Sequence, residues 1–216
     1  MAAATPSEPQ EKEIIAGARE SLKHWFTRRP CRDHLLQYFD LERARPAEQM
    51  REHRMKLDIA PEHKAGCVAF PLLYMTKASG PGDYQKCQSH IPPRLMFHGS
   101  KLSRLDTIIS SGRLIRGDNC KTIKKGGPQG EDVWGYGVYL TDTFTAALRY
   151  APCPEDCSQF RIVFGVSATA TKSLHTERSR YYVAREHWIE ATYLILVPAY
   201  VPGGWCQRLE KHMRHG

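Results

Sequence analysis

The stretch Gly135-Tyr136-Gly137-Val138-Tyr139-Leu140-Thr141-Asp142, continued by Thr143-Phe144-Thr145-Ala146-Ala147-Leu148-Arg149-Tyr150, decides the fold. Gly137 to Leu140 is short, apolar and aromatic, which predicts a strand. Asp142 is the expected cap of a helix that carries Phe144, Ala147 and Leu148 and ends before Pro152. Gly135 and Gly137 leave space beside that strand for an unusual turn or a ligand. The third glycine of a dinucleotide-binding fingerprint is missing, so this is not that motif.

Working outward, Arg94-Leu95-Met96-Phe97 predicts a strand that ends at His98-Gly99-Ser100. Leu102, Leu105, Ile108 and Ile109 then line one helix face, with Ser103 as expected N-cap and Gly112 as C-terminal stop. Residues 117–132 form a glycine-rich, lysine-bearing loop. Downstream, residues 160–166 predict a strong strand, 181–184 a weaker one and 191–197 the strongest. The expected core is Leu95, Ile162, Val163, Leu194 and Leu196 beneath the helices of Ile108 and Leu148.

Upstream the pattern is helical. Ile14, Ile15, Ala18, Leu22, Trp25 and Phe26 fall at helical spacing before Pro30. A short helix is expected around Leu35, Leu36 and Phe39, and another after Pro46. An apolar run from Cys67 to Met75 precedes the polar connector Lys77-Ala78-Ser79-Gly80-Pro81-Gly82-Asp83. The expected organisation is a tail at 1–9, a helical region at 10–90, the main domain at 91–200 and a tail at 201–216.

Bulk properties narrow the class. The chain has 216 residues, 41% hydrophobic and 25% charged, as in ordinary globular proteins. No stretch approaches the ~20 apolar residues of a membrane helix, and the start lacks the basic and apolar regions of a secretory signal. An intracellular, reducing location without membrane contact is therefore expected. Seven scattered cysteines argue against a disulfide framework. Cys153 and Cys157 lack a second close pair to complete a zinc site, so no metal is expected. A net charge of +8 favours anionic partners, but no nucleic-acid-binding motif accompanies it.

Taken together and in this order, the His98-Gly99-Ser100 strand, the Gly135–Asp142 turn, the helix ending at Tyr150, and Tyr181-Tyr182-Val183 before Tyr193-Leu194-Ile195 carry a family pattern. They resemble the catalytic domain of the poly(ADP-ribose) polymerase family, the diphtheria-toxin-like branch of ADP-ribosyltransferases. The resemblance covers roughly the last half of the chain. It implies an α+β fold, a split antiparallel β-sandwich with short helices, here preceded by the small helical region. It also implies NAD as co-substrate, nicotinamide release, and transfer of ADP-ribose to a protein or nucleic-acid acceptor.

The same resemblance assigns residues. Tyr139 and Tyr150 match the aromatic pair that sandwiches nicotinamide, a flat cationic ring suited to stacking. His98 matches the histidine that hydrogen-bonds a ribose hydroxyl. Gly99 and Ser100 would meet the carboxamide, and Gly137 lies beside Tyr139. Two positions depart from the pattern. Ala147 stands where many members place a nicotinamide-binding serine, and Arg180 falls at the place counted for the family's catalytic glutamate. Glu177, Glu186 and Glu190 are the nearby carboxylates, with Glu190 the candidate beside His98 and Tyr139 for the chemistry. An arginine opposes the positive charge that develops on the ribose and cannot activate a sugar hydroxyl for chain growth, so at most single-unit transfer is expected, with an inactive NAD- or ADP-ribose-binding module as the alternative. A basic nucleic-acid-interacting protein is the remaining class.

Overall fold

Strands buried on both faces read as continuous apolar runs, and two such strands organise this protein. The computed structural model describes residues 7–49, 57–59, 64, 66–73, 94–112, 114, 138–152, 160–168, 172–175, 180–184 and 189–198. Three α-helices are described: α1 (Glu8–Thr27), α2 (Leu105–Ser111) and α3 (Phe144–Leu148). Eight strands accompany them: β1 (Arg45–Pro46), β2 (Val68–Pro71), β3 (Arg94–Ser100), β4 (Val138–Thr141), β5 (Phe160–Ala168), β6 (Lys172–His175), β7 (Arg180–Ala184) and β8 (Ile189–Pro198). Short 3₁₀ turns cover Asp33–Tyr38, Ala47–Gln49 and Leu102–Arg104.

The strands form one antiparallel sheet in the order β1-β2-β8-β5-β3-β4-β7-β6. The last described strand, β8, is thus internal, paired with β2 on one side and β5 on the other. β3 and β4 share a single pair, Phe97 with Thr141, so the sheet divides there into two leaves. This gives the α+β, split antiparallel architecture.

Alternation along β5 explains the two cores. Ile162, Phe164 and Val166 face a cluster with Leu22 and Phe26 of α1 and Leu105, Ile108 and Ile109 of α2. Val163 faces the other side, among Phe97, Ile195, Phe144, Ala147 and Leu148. Of the expected core, Ile162, Val163, Leu194 and Leu196 are buried, and Leu95 is partly buried. Ile162 lies with Ile108, and Val163 lies with Leu148 on the opposite face.

α1 begins where the sequence places polar caps. The Gln10 side chain accepts a hydrogen bond from the Ser7 N–H at 2.9 Å, and Glu8 and Glu11 sit in the first turn, where the helix dipole favours negative charge. The N-terminal region is not wholly helical. Its apolar run supplies β2, whose Val68, Ala69, Phe70 and Pro71 pair with Leu196, Ile195, Leu194 and Tyr193 of β8. The sheet and its first core therefore continue across the expected boundary at residues 90 and 91. That connector itself lies outside the described residues, as do residues 1–6 and 201–216. Of the expected tail at 1–9, Ser7 caps α1 and Glu8 and Pro9 open it, so the helix starts earlier than expected.

Capping also differs from expectation in two places. Ser103 lies inside the 3₁₀ turn that leads into α2 rather than at its cap, because Lys101 already leaves the strand. Gly112 does end α2, at φ 65°, the left-handed conformation that glycine adopts without a Cβ clash. Thr143, not Asp142, is the N-cap of α3.

Candidate active site

The division between β3 and β4 creates a junction, and His98 stands at it. Its Nδ1 lies 2.9 Å from the Tyr139 carbonyl oxygen on β4. A carbonyl only accepts, so the proton of a neutral ring sits on Nδ1, and Nε2 keeps a lone pair. Burial holds the imidazole below its ordinary pKa. The Tyr139 bond opposes that effect and the Arg104 charge adds to it. The ring is therefore a neutral acceptor at Nε2.

Gly99 follows on β3. A Cβ at this position would run into the carbonyl oxygen of Ala147 and approach the Ala151 nitrogen at 3.2 Å. Glycine thus lets the C-terminal end of α3 rest directly on the strand. Phe97 and Phe144 pack edge to face beneath that contact, with centroids 5.2 Å apart. The Ala147 carbonyl also accepts from the Tyr150 N–H at 3.0 Å. Tyr150 is 58% exposed, an unusual state for a ring of that size. Ser100 and Ala147 are buried, and Tyr139 is partly buried on β4.

His98, Gly99, Ser100, Tyr139, Ala147 and Tyr150 are thus gathered where β3, β4 and α3 meet. Gly137 lies outside the described residues, as do Glu177 and Glu186. Arg180 opens β7 and pairs with His175 of β6. Three strands, β5, β3 and β4, separate β7 from β8.

Glu190 lies on β8 opposite Ser167, which is itself opposite Leu95 of β3. That row is three residues from His98 and two strand spacings away, or roughly 14 Å between Cα atoms. Burial raises the Glu190 pKa.

One residue escaped sequence reasoning. β8 bulges against β5, whose Gly165 pairs with Tyr193 while Val166 pairs with Ala191, so Thr192 is the additional residue. Its hydroxyl donates to the Gly165 carbonyl at 3.1 Å. Gly165 faces Phe97 and Val166 faces Met96, so Thr192 lies between those two rows, with β5 between it and the strand of His98. Only the glycine in the facing strand hinted at this bulge.

Among the described residues, no cluster of three or more histidines, cysteines, aspartates or glutamates is arranged to hold a metal. Cys153 and Cys157 lie outside them. No described helix is long and apolar enough to cross a membrane.

No curated protein matches the chain. The model of the poly(ADP-ribose) polymerase catalytic domain matches residues 22–196. That span begins within α1, ends within β8 and crosses the expected boundary at residue 90. The neutral histidine at a split sheet, the glycine under α3 and this match across most of the chain agree: the protein belongs to the poly(ADP-ribose) polymerase catalytic-domain family, an ADP-ribosyltransferase class that uses NAD as co-substrate.

Proposed function

We propose that the protein is a mono-ADP-ribosyltransferase, which transfers one ADP-ribose from NAD to a protein or nucleic-acid acceptor and releases nicotinamide. The observation that carries this reading is the His98–Tyr139 hydrogen bond. It fixes the imidazole with an accepting Nε2, which suits a ribose hydroxyl and would hold the sugar in one orientation. Gly99 would offer backbone groups to the carboxamide, Ser100 a hydroxyl, and Tyr139 and Tyr150 would flank the ring. Ala147 supplies no side-chain hydrogen bond, so the amide would depend on the backbone.

The described groups near His98 support limitation to a single unit. Chain growth needs the hydroxyl of an attached sugar to be activated, which leans on a base or a strong acceptor. Thr192, across β5 from the strand of His98, uses its hydroxyl on Gly165. Glu190 is farther along β8, and burial raises its carboxyl pKa, which disfavours the anionic form. Arg180 accepts no hydrogen bond. Bond cleavage would leave an oxocarbenium-like ribose that an already nucleophilic acceptor captures. The protein's net charge of +8 suits an acidic or phosphate-bearing acceptor.

Incubation with labelled NAD tests this reading. Nicotinamide release with single-unit product supports it, and long polymer refutes it. Among the described residues, Glu190 stands several residues along the sheet from His98, which also favours a second reading, an NAD- or ADP-ribose-binding module with little turnover. Saturable NAD binding without nicotinamide release would select that one.

A further inference from the structure

The α3 helix has five residues and is too short to sustain itself. Its cap residue, Thr143, makes no side-chain cap bond to it. The missing acceptor comes from far away in the chain. Asp58 Oδ1 accepts the Thr145 N–H at 2.9 Å, and the Thr145 hydroxyl donates to the Asp58 carbonyl at 2.7 Å. A carboxylate at this end also suits the helix dipole. Leu57 and Ile59, on either side of Asp58, are buried in the same cluster as Phe144, Ala147 and Leu148. The segment is therefore anchored on both sides of the cap, and its reach is fixed.

The other end of α3 bears on the site, because the Ala147 carbonyl rests over Gly99 and Tyr150 follows one turn later. Because the Tyr150 N–H donates to the Ala147 carbonyl, a shift of the helix at Thr145 carries to Tyr150. We infer that Asp58 is a positioning residue for the NAD site, acting through Thr145 to set where α3 lies over β3. This rests on the NAD reading of the junction. Asp58 itself touches no substrate in this scheme.

The experiment compares Asp58→Ala and Asp58→Asn with the natural full-length chain in two measurements. Amide exchange follows α3 against α2, and titration with NAD gives affinity for the folded fraction. Asp58→Ala is expected to speed exchange at Thr145 to Tyr150, leave α2 unchanged, and weaken NAD binding about fivefold to tenfold. Asp58→Asn keeps an acceptor oxygen and is expected to restore most of both. Unchanged α3 protection in Asp58→Ala overturns the inference, and so does lost protection with unchanged NAD affinity. If the natural chain binds no NAD, the substrate reading fails, while the exchange data still decide whether Asp58 sets α3.

Discussion

Asp106 on α2 accepts a hydrogen bond from Arg29 Nη1 at 2.8 Å, joining the end of the N-terminal helix to the helix that follows His98-Gly99-Ser100. The same carboxylate accepts from Trp25 Nε1 at 3.1 Å, and the Arg29 guanidinium lies 3.8 Å from the Trp25 ring centroid. Asp106 is 7% exposed, so its loss leaves two donors without their acceptor. Asp106→Ala is expected to cost about 2–3 kcal/mol, less than a wholly buried pair because Arg29 is partly solvated. Urea denaturation measures this, and a loss under ~1 kcal/mol would reduce the cluster to surface decoration.

A chain begun near Ser89 is expected not to fold. It would lack Leu22, Phe26, Leu35, Phe39, Val68 and Phe70 from the first core, and would leave one side of β8 unpaired. Soluble expression with dispersed amide resonances would show that the C-terminal half is self-sufficient.

Gly99→Ala places a methyl group against the Ala147 carbonyl, so α3 must lift from β3. Overpacking of this kind costs about 1–3 kcal/mol. NAD affinity is expected to fall by more than stability alone explains, because Tyr150 moves with the helix. Equal NAD binding by the variant would show that the contact is mere packing.

His98 sets a pH limit. Its folded pKa lies below 6.5, chiefly because of burial. The neutral ring is stabilising above the unfolded value, and that contribution is lost as pH falls through the folded one. NAD affinity is expected to stay level through pH 6.5 and to fall only at the lower pH where Nε2 of the folded protein gains a proton and stops accepting. Isothermal titration across pH 5 to 8 checks this. An affinity that rises with acidity contradicts the assignment.

Glu190 behaves oppositely. Burial raises its carboxyl pKa above 4.5, so the folded protein holds that proton more tightly than the unfolded chain. Its contribution is complete below 4.5 and is lost as pH rises through the folded value. Glu190→Gln is thus expected to stabilise the protein at neutral pH, with the gain vanishing toward pH 4. Melting curves at the two pH values decide it, and equal gains at both would assign the effect to packing.

Local signals were the legible ones. The periodicity from Ile14 to Phe26 marked α1, Gly112 marked the end of α2, and the apolar runs marked β5 and β8. Those signals arise within a few residues of chain. The pairing of Val68–Pro71 with Tyr193–Leu196 does not, since nothing local to either strand names its partner. That is why the N-terminal segment read as a separate helical region. β6 was missed, because the four residues Lys172–His175 do not make a clear apolar alternation. At the site, His98, Gly99, Tyr139 and Tyr150 were named through the resemblance of their motifs to the family's. Asp58 could not be, because its partner Thr145 is 87 residues away. Thr192 was hidden because a bulge is a property of two strands in register.

The internal place of β8 has a consequence for synthesis. Its residues leave the ribosome after β2 and β5, yet it must enter between them. Until then, Phe70 and Phe164 have no Leu194 to meet across the sheet. A nascent chain of this protein therefore carries the unmatched apolar edge of β2 from Pro71 until β8 emerges, joined late by that of β5, which is the condition under which holding chaperones act and premature aggregation competes.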